Sequence, residues 1–178
     1  MLRAEEFKDW CVRNKISEKA EDVITSIRKS PSRTVGGGNF ILCRRAYPSE
    51  KMGVLIRCES YLELTLVKEL ENDNDVLEYY GHPNPIKFKS NMIRQFKPDF
   101  FVIRRNSAGW VECETESKLI GLQVHAPNRL IRNDDGLWIC PPGENYASQF
   151  GLYYRLWSDF QADWVLQKNM RELFTLSK

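Results

Sequence analysis

The chain has 178 residues, 42% of them hydrophobic and 28% charged, with a formal net charge of +2. That length and apolar content suit one domain with a real core, and the near-zero charge excludes a global field that would by itself announce a nucleic-acid partner. Five cysteines, Cys11, Cys43, Cys58, Cys113 and Cys140, contain no CxxC pair. Such a set argues against a disulfide framework and a structural zinc site, and fits a reducing cytoplasm. No signal-peptide pattern and no long uncharged apolar run is seen, so neither secretion nor a membrane span is expected.

In chain order, Ala4–Asn14 and Glu18–Lys29 read as two short helices, with Ser17 as N-cap of the second. Ser30–Asn39, with Pro31 and Gly36-Gly37-Gly38, reads as a loop; it lacks the Lys-Ser/Thr that would complete a phosphate-binding loop. Glu59–Asn72 gives the clearest helix. Leu62, Leu66 and Leu70 recur once per turn, and Glu59 and Glu63 fall in the same stripe.

Val76–Tyr80 is expected to be a strand, Gly81–Pro85 a turn, and Ile86–Lys89 a second extended stretch. Phe96–Arg104 is the clearest strand, joined through Asn106–Gly109 to a partner strand at Trp110–Thr115. Leu119–Val124 fits helix and strand equally. Asn133–Gly136 reads as a turn, Tyr146–Phe150 as a helical turn closed by Gly151, Leu152–Trp157 as a strand, and Asp163–Phe174 as a final helix. The order implies an α/β sandwich with a mixed sheet flanked by helices.

Three acidic positions carry the functional signal: Glu63 within an apolar helix stripe, Asp99 after Pro98 at the entry to an apolar strand, and Glu112-Cys113-Glu114 on the next strand. Alternation puts Glu112 and Glu114 on one face, and the hairpin brings Asp99 beside Glu112. Clustered carboxylates repel unless a hard cation lies between them, and oxygen-only ligation suits magnesium or manganese. The backbone carbonyl of Cys113 would add a further oxygen. Set against this is the plain alternative that these acids are ordinary exposed faces of a helix and a hairpin.

Two other features stay open. Between Arg28 and Arg57 the bases Arg28, Lys29, Arg33, Arg44, Arg45, Lys51 and Arg57 face a single acid, Glu50. That stretch suits a phosphate-contacting surface and a solvated basic face equally. His82 and His125 belong to no pairing motif and read as loop or partly buried residues, and no Ser or Cys nucleophile has a sequence-near histidine.

From about Pro31 to Leu173 the chain resembles the PD-(D/E)xK nuclease superfamily, and within it the TnsA-type transposon endonucleases. The resemblance is carried by Glu59-Ser60-Tyr61-Leu62-Glu63, by Leu70-Glu71-Asn72-Asp73 running on to Val76 and Tyr80, and by Lys97-Pro98-Asp99-Phe100. Weaker support comes from Ser32-Arg33, Pro48–Met52, Gly151–Arg155 and Asn169–Leu173.

The resemblance implies a restriction-endonuclease-like domain at 31–178 behind a helical extension at 1–30. It implies a magnesium-dependent endonuclease that cuts double-stranded DNA at transposon ends, with a DDE transposase and an ATPase regulator as partners; the alternatives are a catalytically inactive module of that fold for DNA binding and transposase docking, and a stand-alone repair or phage nuclease. Glu63, Asp99 and Glu112 would hold metal, and Arg33, Arg44, Arg45, Lys51 and Arg57 would follow the DNA backbone. His82 stands where the family usually has Gln, and Glu114 stands where it usually has Lys. Glu114 is then expected to act as general base or second-metal contact. A lysine displaced from the motif is a further option: Lys68 lies off the Glu63 face of its helix, and Lys118 is roughly 13 Å from Glu114 along an extended chain, within reach only if the chain turns sharply after Thr115.

Overall fold

In the computed structural model, residues 1–30, 45–89 and 93–169 are described, apart from the side chains of 87–95. The expected glycine loop, Arg33, Cys43, Arg44 and the end of the final helix lie outside the described residues.

Spacing of apolar residues forms the helices as expected. Helix α1 (Ala4–Arg13) buries Phe7, Trp10 and Cys11, and α2 (Glu18–Lys29) buries Ala20, Ile24 and Ile27, each set one turn apart. Ser17 caps α2 by accepting the Ala20 N–H at 3.3 Å. An antiparallel pair follows, β1 (Arg45–Ser49) and β2 (Val54–Cys58), closed by a turn in which Gly53 adopts φ +68°. Sequence patterning had offered no element here.

Helix α3 (Tyr61–Asn72) begins two residues later than the leucine stripe suggested, because the Ser60 hydroxyl accepts the Glu63 N–H at 3.0 Å and fixes the start. Next come β3 (Val76–Gly81), the hairpin β4 (Ile86–Lys89) and β5 (Ile93–Phe96), then β6 (Phe100–Arg104) and β7 (Ala108–Cys113). The long strand expected at Phe96–Arg104 is thus two strands. Pro98 offers no N–H to a ladder and interrupts them.

The ambiguous segment forms helix α4 (Glu116–His125). Beyond it lie the short hairpin of β8 (Ile131–Arg132) and β9 (Trp138–Ile139), helix α5 (Pro141–Ser148) and strand β10 (Tyr153–Trp157). Residues 164–169 are helical.

The central sheet runs β10-β7-β6-β3 and is mixed: β3–β6 and β6–β7 are antiparallel, β7–β10 parallel. Consecutive tyrosines on β3 show how its two faces are covered. The Tyr79 hydroxyl reaches Glu71 of α3 at 2.5 Å, whereas the Tyr80 hydroxyl reaches Glu78, which also binds Arg28 of α2. Trp110 lies on the Tyr80 face and meets Tyr146 of α5, ring centroids 5.7 Å apart. The protein is therefore a mixed α/β fold whose sheet lies between α3 on one face and α2 with α5 on the other. The helices of residues 1–30 share the same buried core as the sheet. Gly109 is required where β7 meets β10, since a Cβ there would lie 2.1 Å from the Tyr153 carbonyl oxygen.

Candidate functional site

All the acidic residues singled out by sequence lie toward one end of the central sheet, where β3 and β7 finish and β6 begins. Asp99 forms the middle of this end. Its N–H donates to the Val111 carbonyl at 3.0 Å, its carboxylate Oδ2 accepts the Cys113 N–H at 2.7 Å, and its own carbonyl accepts the His82 N–H at 2.6 Å. Asp99 thus ties the exit of β3 to the last residues of β7, with Glu112 held between its two contact points. The sequence expectation that Asp99 and Glu112 are near neighbours holds.

Glu63 enters from the first turn of α3 and is 5% exposed. Its Oε2 accepts the Glu59 N–H at 2.8 Å and its Oε1 the Ser60 hydroxyl at 3.2 Å, so it closes a reciprocal cap on the helix start. Burial pushes its carboxyl above the usual carboxylate range, against the pull of the Glu59 N–H and of His82. Nε2 of His82 lies 3.6 Å from Glu63 Oε2. His82 is 2% exposed, has φ +50°, stacks on Phe100, and has neither ring nitrogen in a hydrogen bond. A non-glycine residue in the left-handed region that also buries unpaired polar atoms is under strain, a condition that concentrates at functional sites.

Glu112 turns to another partner. Its Oε2 accepts the Tyr154 hydroxyl from the neighbouring parallel strand. Burial, followed by the Glu112 charge, pushes the Tyr154 hydroxyl far up its range, so it stays a donor. Glu114 lies just past β7, and its carboxylate pairs with Lys118. The chain turns at Thr115, the N-cap residue of α4, and one helical turn returns the ammonium to the acid four residues earlier. The sharp turn that Lys118 needed is present.

The thiol of Cys113 shows how the acids are distributed. Burial pushes it well above its usual range, and Asp99, Glu63, Cys58 and Glu112 add in that order. Alternation along β7 nevertheless puts Glu112 on the Trp110 and Tyr154 face of the sheet, opposite to α3 and Glu63, and each acid is bonded to a different protein partner. Among the described residues, no three His, Cys, Asp or Glu side chains lie close enough together to hold a metal ion. Their donor chemistry is nonetheless that of a hard-cation site, oxygen only, and an ionised carboxylate has about four lone-pair sites to offer.

The basic segment divides. Arg28 is committed to Glu78, and the Lys51 ammonium donates to the Leu70 and Asp73 carbonyls at the end of α3, at 2.8 and 2.7 Å. Arg45 lies over the exposed ring of Tyr61 at 3.6 Å, and Arg57 is exposed on β2, which passes beside Gly81. Of the expected DNA-contacting residues within the described region, Arg45 is half-buried over Tyr61, two residues from Glu63, whereas Arg57 is exposed on the opposite face of the β1–β2 pair.

Sequence reasoning missed Tyr154 and the contact between His82 and Glu63. Both join distant segments; His82 stood out only as replacing the family's usual Gln, and Tyr154 only as one residue of the 151–155 segment, with no sign of either contact. No family model matches the chain, and no curated protein matches it. The TnsA-type resemblance accordingly stands on the residues quoted for it. Among the described residues, no helix is long and apolar enough to cross a membrane.

Proposed function

We propose that the chain is a metal-dependent endonuclease subunit with a restriction-endonuclease-like domain, cutting double-stranded DNA at transposon ends alongside a DDE transposase and an ATPase regulator. The observation that carries this reading is Asp99, following a buried proline, bonded directly to the 111–113 segment that bears Glu112, with Glu63 and His82 closing the same sheet end. Asp99 and Glu112 are the proposed ligands of magnesium, manganese being an alternative, and Glu63 supports them. When bound, such a cation supplies an activated water and neutralises charge on the phosphate.

The protein's own residues do the rest. Tyr154 orients the Glu112 carboxylate, the β6–β7 hydrogen bonds hold Asp99, and Ser60 with the Glu59 N–H fixes the Glu63 rotamer. Glu114 stands where the resembling family has lysine, and Lys118 delivers a cation to that same position. The Glu114–Lys118 pair is thus proposed to act on the attacking water together, the acid as base and the lysine as its charge partner. Arg45 and Arg57 are the proposed contacts to the DNA backbone.

The test is cleavage of a transposon-end duplex with magnesium and the partner transposase. Loss of a supporting partner beyond the ligands already costs metal sites about 10–100-fold, so Asp99→Ala should cut at least ~100-fold more slowly than wild type. Equal cutting by the two proteins sinks the assignment. A second reading, a non-catalytic DNA-binding and docking module, is favoured by the separate partners of the four carboxylates. Calorimetric titration with manganese separates the two, because the module shows no heat that depends on Asp99.

A further inference from the structure

Among the arginines with described side chains, several are committed to acids. Arg28 binds Glu78, Arg104 binds Asp73 and Asp75, and Arg132 binds Glu116. Arg129 is different. It follows α4 in a turn closed by its own N–H on the Ala126 carbonyl, and its guanidinium lies 5.2 Å from the centroid of the Phe96 ring. It makes no ion pair among the described residues. Its Nε is buried without a hydrogen-bond partner, as is that of Arg104, but Arg104 has Asp73 and Asp75 to balance its charge. A guanidinium carries five donors in a fixed fork, and burying one of them unpaired is unfavourable unless a ligand meets it.

Its position gives that observation meaning. The Phe96 ring packs edge-on against Tyr154 at 5.9 Å, and Tyr154 donates to Glu112. A second route leads to the same place: the Cys140 thiol, pushed up to about 11 chiefly by burial, is raised further by Glu112 and lowered by Arg129. Through Phe96 and Tyr154, Arg129 therefore lies on the Glu112 side of the site, and it makes no ion pair with Glu112. Arg45, over Tyr61, lies on the Glu63 side.

We propose that Arg129 is a phosphate-binding residue, holding a phosphodiester oxygen of the DNA strand on the Glu112 side of the candidate site. This rests on the nuclease-fold reading given above. Planar, bidentate donation to phosphate is what the guanidinium fork does best, and the Phe96 ring fixes its plane before DNA arrives. The strand would then be gripped from two sides, by Arg45 beyond Glu63 and by Arg129 beyond Glu112. An arginine serving only to balance buried charge would affect stability but not the salt dependence of DNA binding.

The experiment measures binding of the full chain to a short fluorescent DNA duplex by anisotropy, without divalent metal, from 50 to 300 mM salt. Wild type, Arg129→Ala, Arg129→Lys and Arg129→Gln are compared, with thermal melts on each. Losing one phosphate contact should lower the slope of log affinity against log salt by about 1 in the alanine and glutamine variants. The lysine variant should keep most of the slope but lose affinity. Wild-type affinity and slope in all three variants overturn the proposal, as does a wild-type protein that does not bind duplex at the lowest salt. If alanine unfolds the protein, the glutamine and lysine variants decide. The nuclease reading is judged separately, by whether cutting depends on Asp99, so one can fail while the other stands.

Discussion

Glu63 shows how a single buried carboxyl ties site to stability. Its folded pKa is raised, chiefly by burial, so its contribution to stability is fully present below the unfolded value of 4.5 and is lost as pH rises through the higher folded value. The groups facing it, His82, Glu59 and the Cys113 thiol, modulate this without reversing it. Glu63→Gln keeps an acceptor for the Glu59 N–H and removes the titration. In metal-free buffer, the melting temperature of wild type minus that of Glu63→Gln should therefore be largest near pH 4 and fall as the pH rises above 4.5. A difference independent of pH means that the carboxyl ionises in the fold as freely as it does unfolded. Magnesium binding would reverse the burden, because a cation favours the charged form that burial disfavours. Legibility at this scale was uneven. Glu63 and Asp99 were readable because acids interrupt apolar patterns, whereas Tyr154 was not, because its partner lies 42 residues away in sequence and one strand over.

At the scale of elements, the packing of α5 on β10 reaches the site directly. Gly143 in α5 lies so close to Tyr154 that a Cβ would come within 2.6 Å of the ring. The ring cannot retreat freely, because its hydroxyl is bonded to Glu112 and its edge meets Phe96. Gly143→Ala should therefore cost about 1–3 kcal/mol, an overpacking penalty, by chemical denaturation. It should also weaken manganese binding if Glu112 is a ligand; unchanged stability means that α5 can slide away from the sheet. Legibility here followed burial periodicity. Helix α3 was plain because Leu66, Val67 and Leu70 are buried on one face. Helix α4 was not, because it buries only Leu119 while Ile120 and Val124 are exposed, which erases the stripe. The β1–β2 pair was missed because Pro48, exposed Val54 and exposed Leu55 break any alternation of apolar and polar residues. The split between β5 and β6 turned on Pro98, which the aromatic run on either side obscured.

For the whole molecule, the sequence suggested that residues 1–30 form an extension on a domain of 31–178, and the central question is how tightly that extension is bound. The answer lies in Glu78, which is fully buried on β3. Its carboxylate accepts the Leu2 N–H at 2.6 Å, the Arg28 guanidinium at 2.9 and 3.0 Å, and the Tyr80 hydroxyl at 2.6 Å. Two of those three partners come from residues 1–30. The Trp10 indole adds bonds to the Arg104 and Arg105 carbonyls at 2.8 and 3.0 Å, pinning α1 to the far end of β6. Removing Arg28 alone leaves Glu78 charged, buried and short of its strongest partner, a situation that costs about 3–5 kcal/mol. That is a large share of the roughly 5–15 kcal/mol by which domains are stable. Arg28→Ala should thus lower stability by that amount in urea unfolding. Arg28→Ala with Glu78→Gln should recover part of the loss, because the amide buries no charge. Recovery would show that the penalty is the orphaned carboxylate rather than lost packing of Arg28 on Phe7, over whose ring the guanidinium lies at 4.2 Å. If neither variant is destabilised, residues 1–30 are a detachable appendage after all, and the domain begins where the resemblance does.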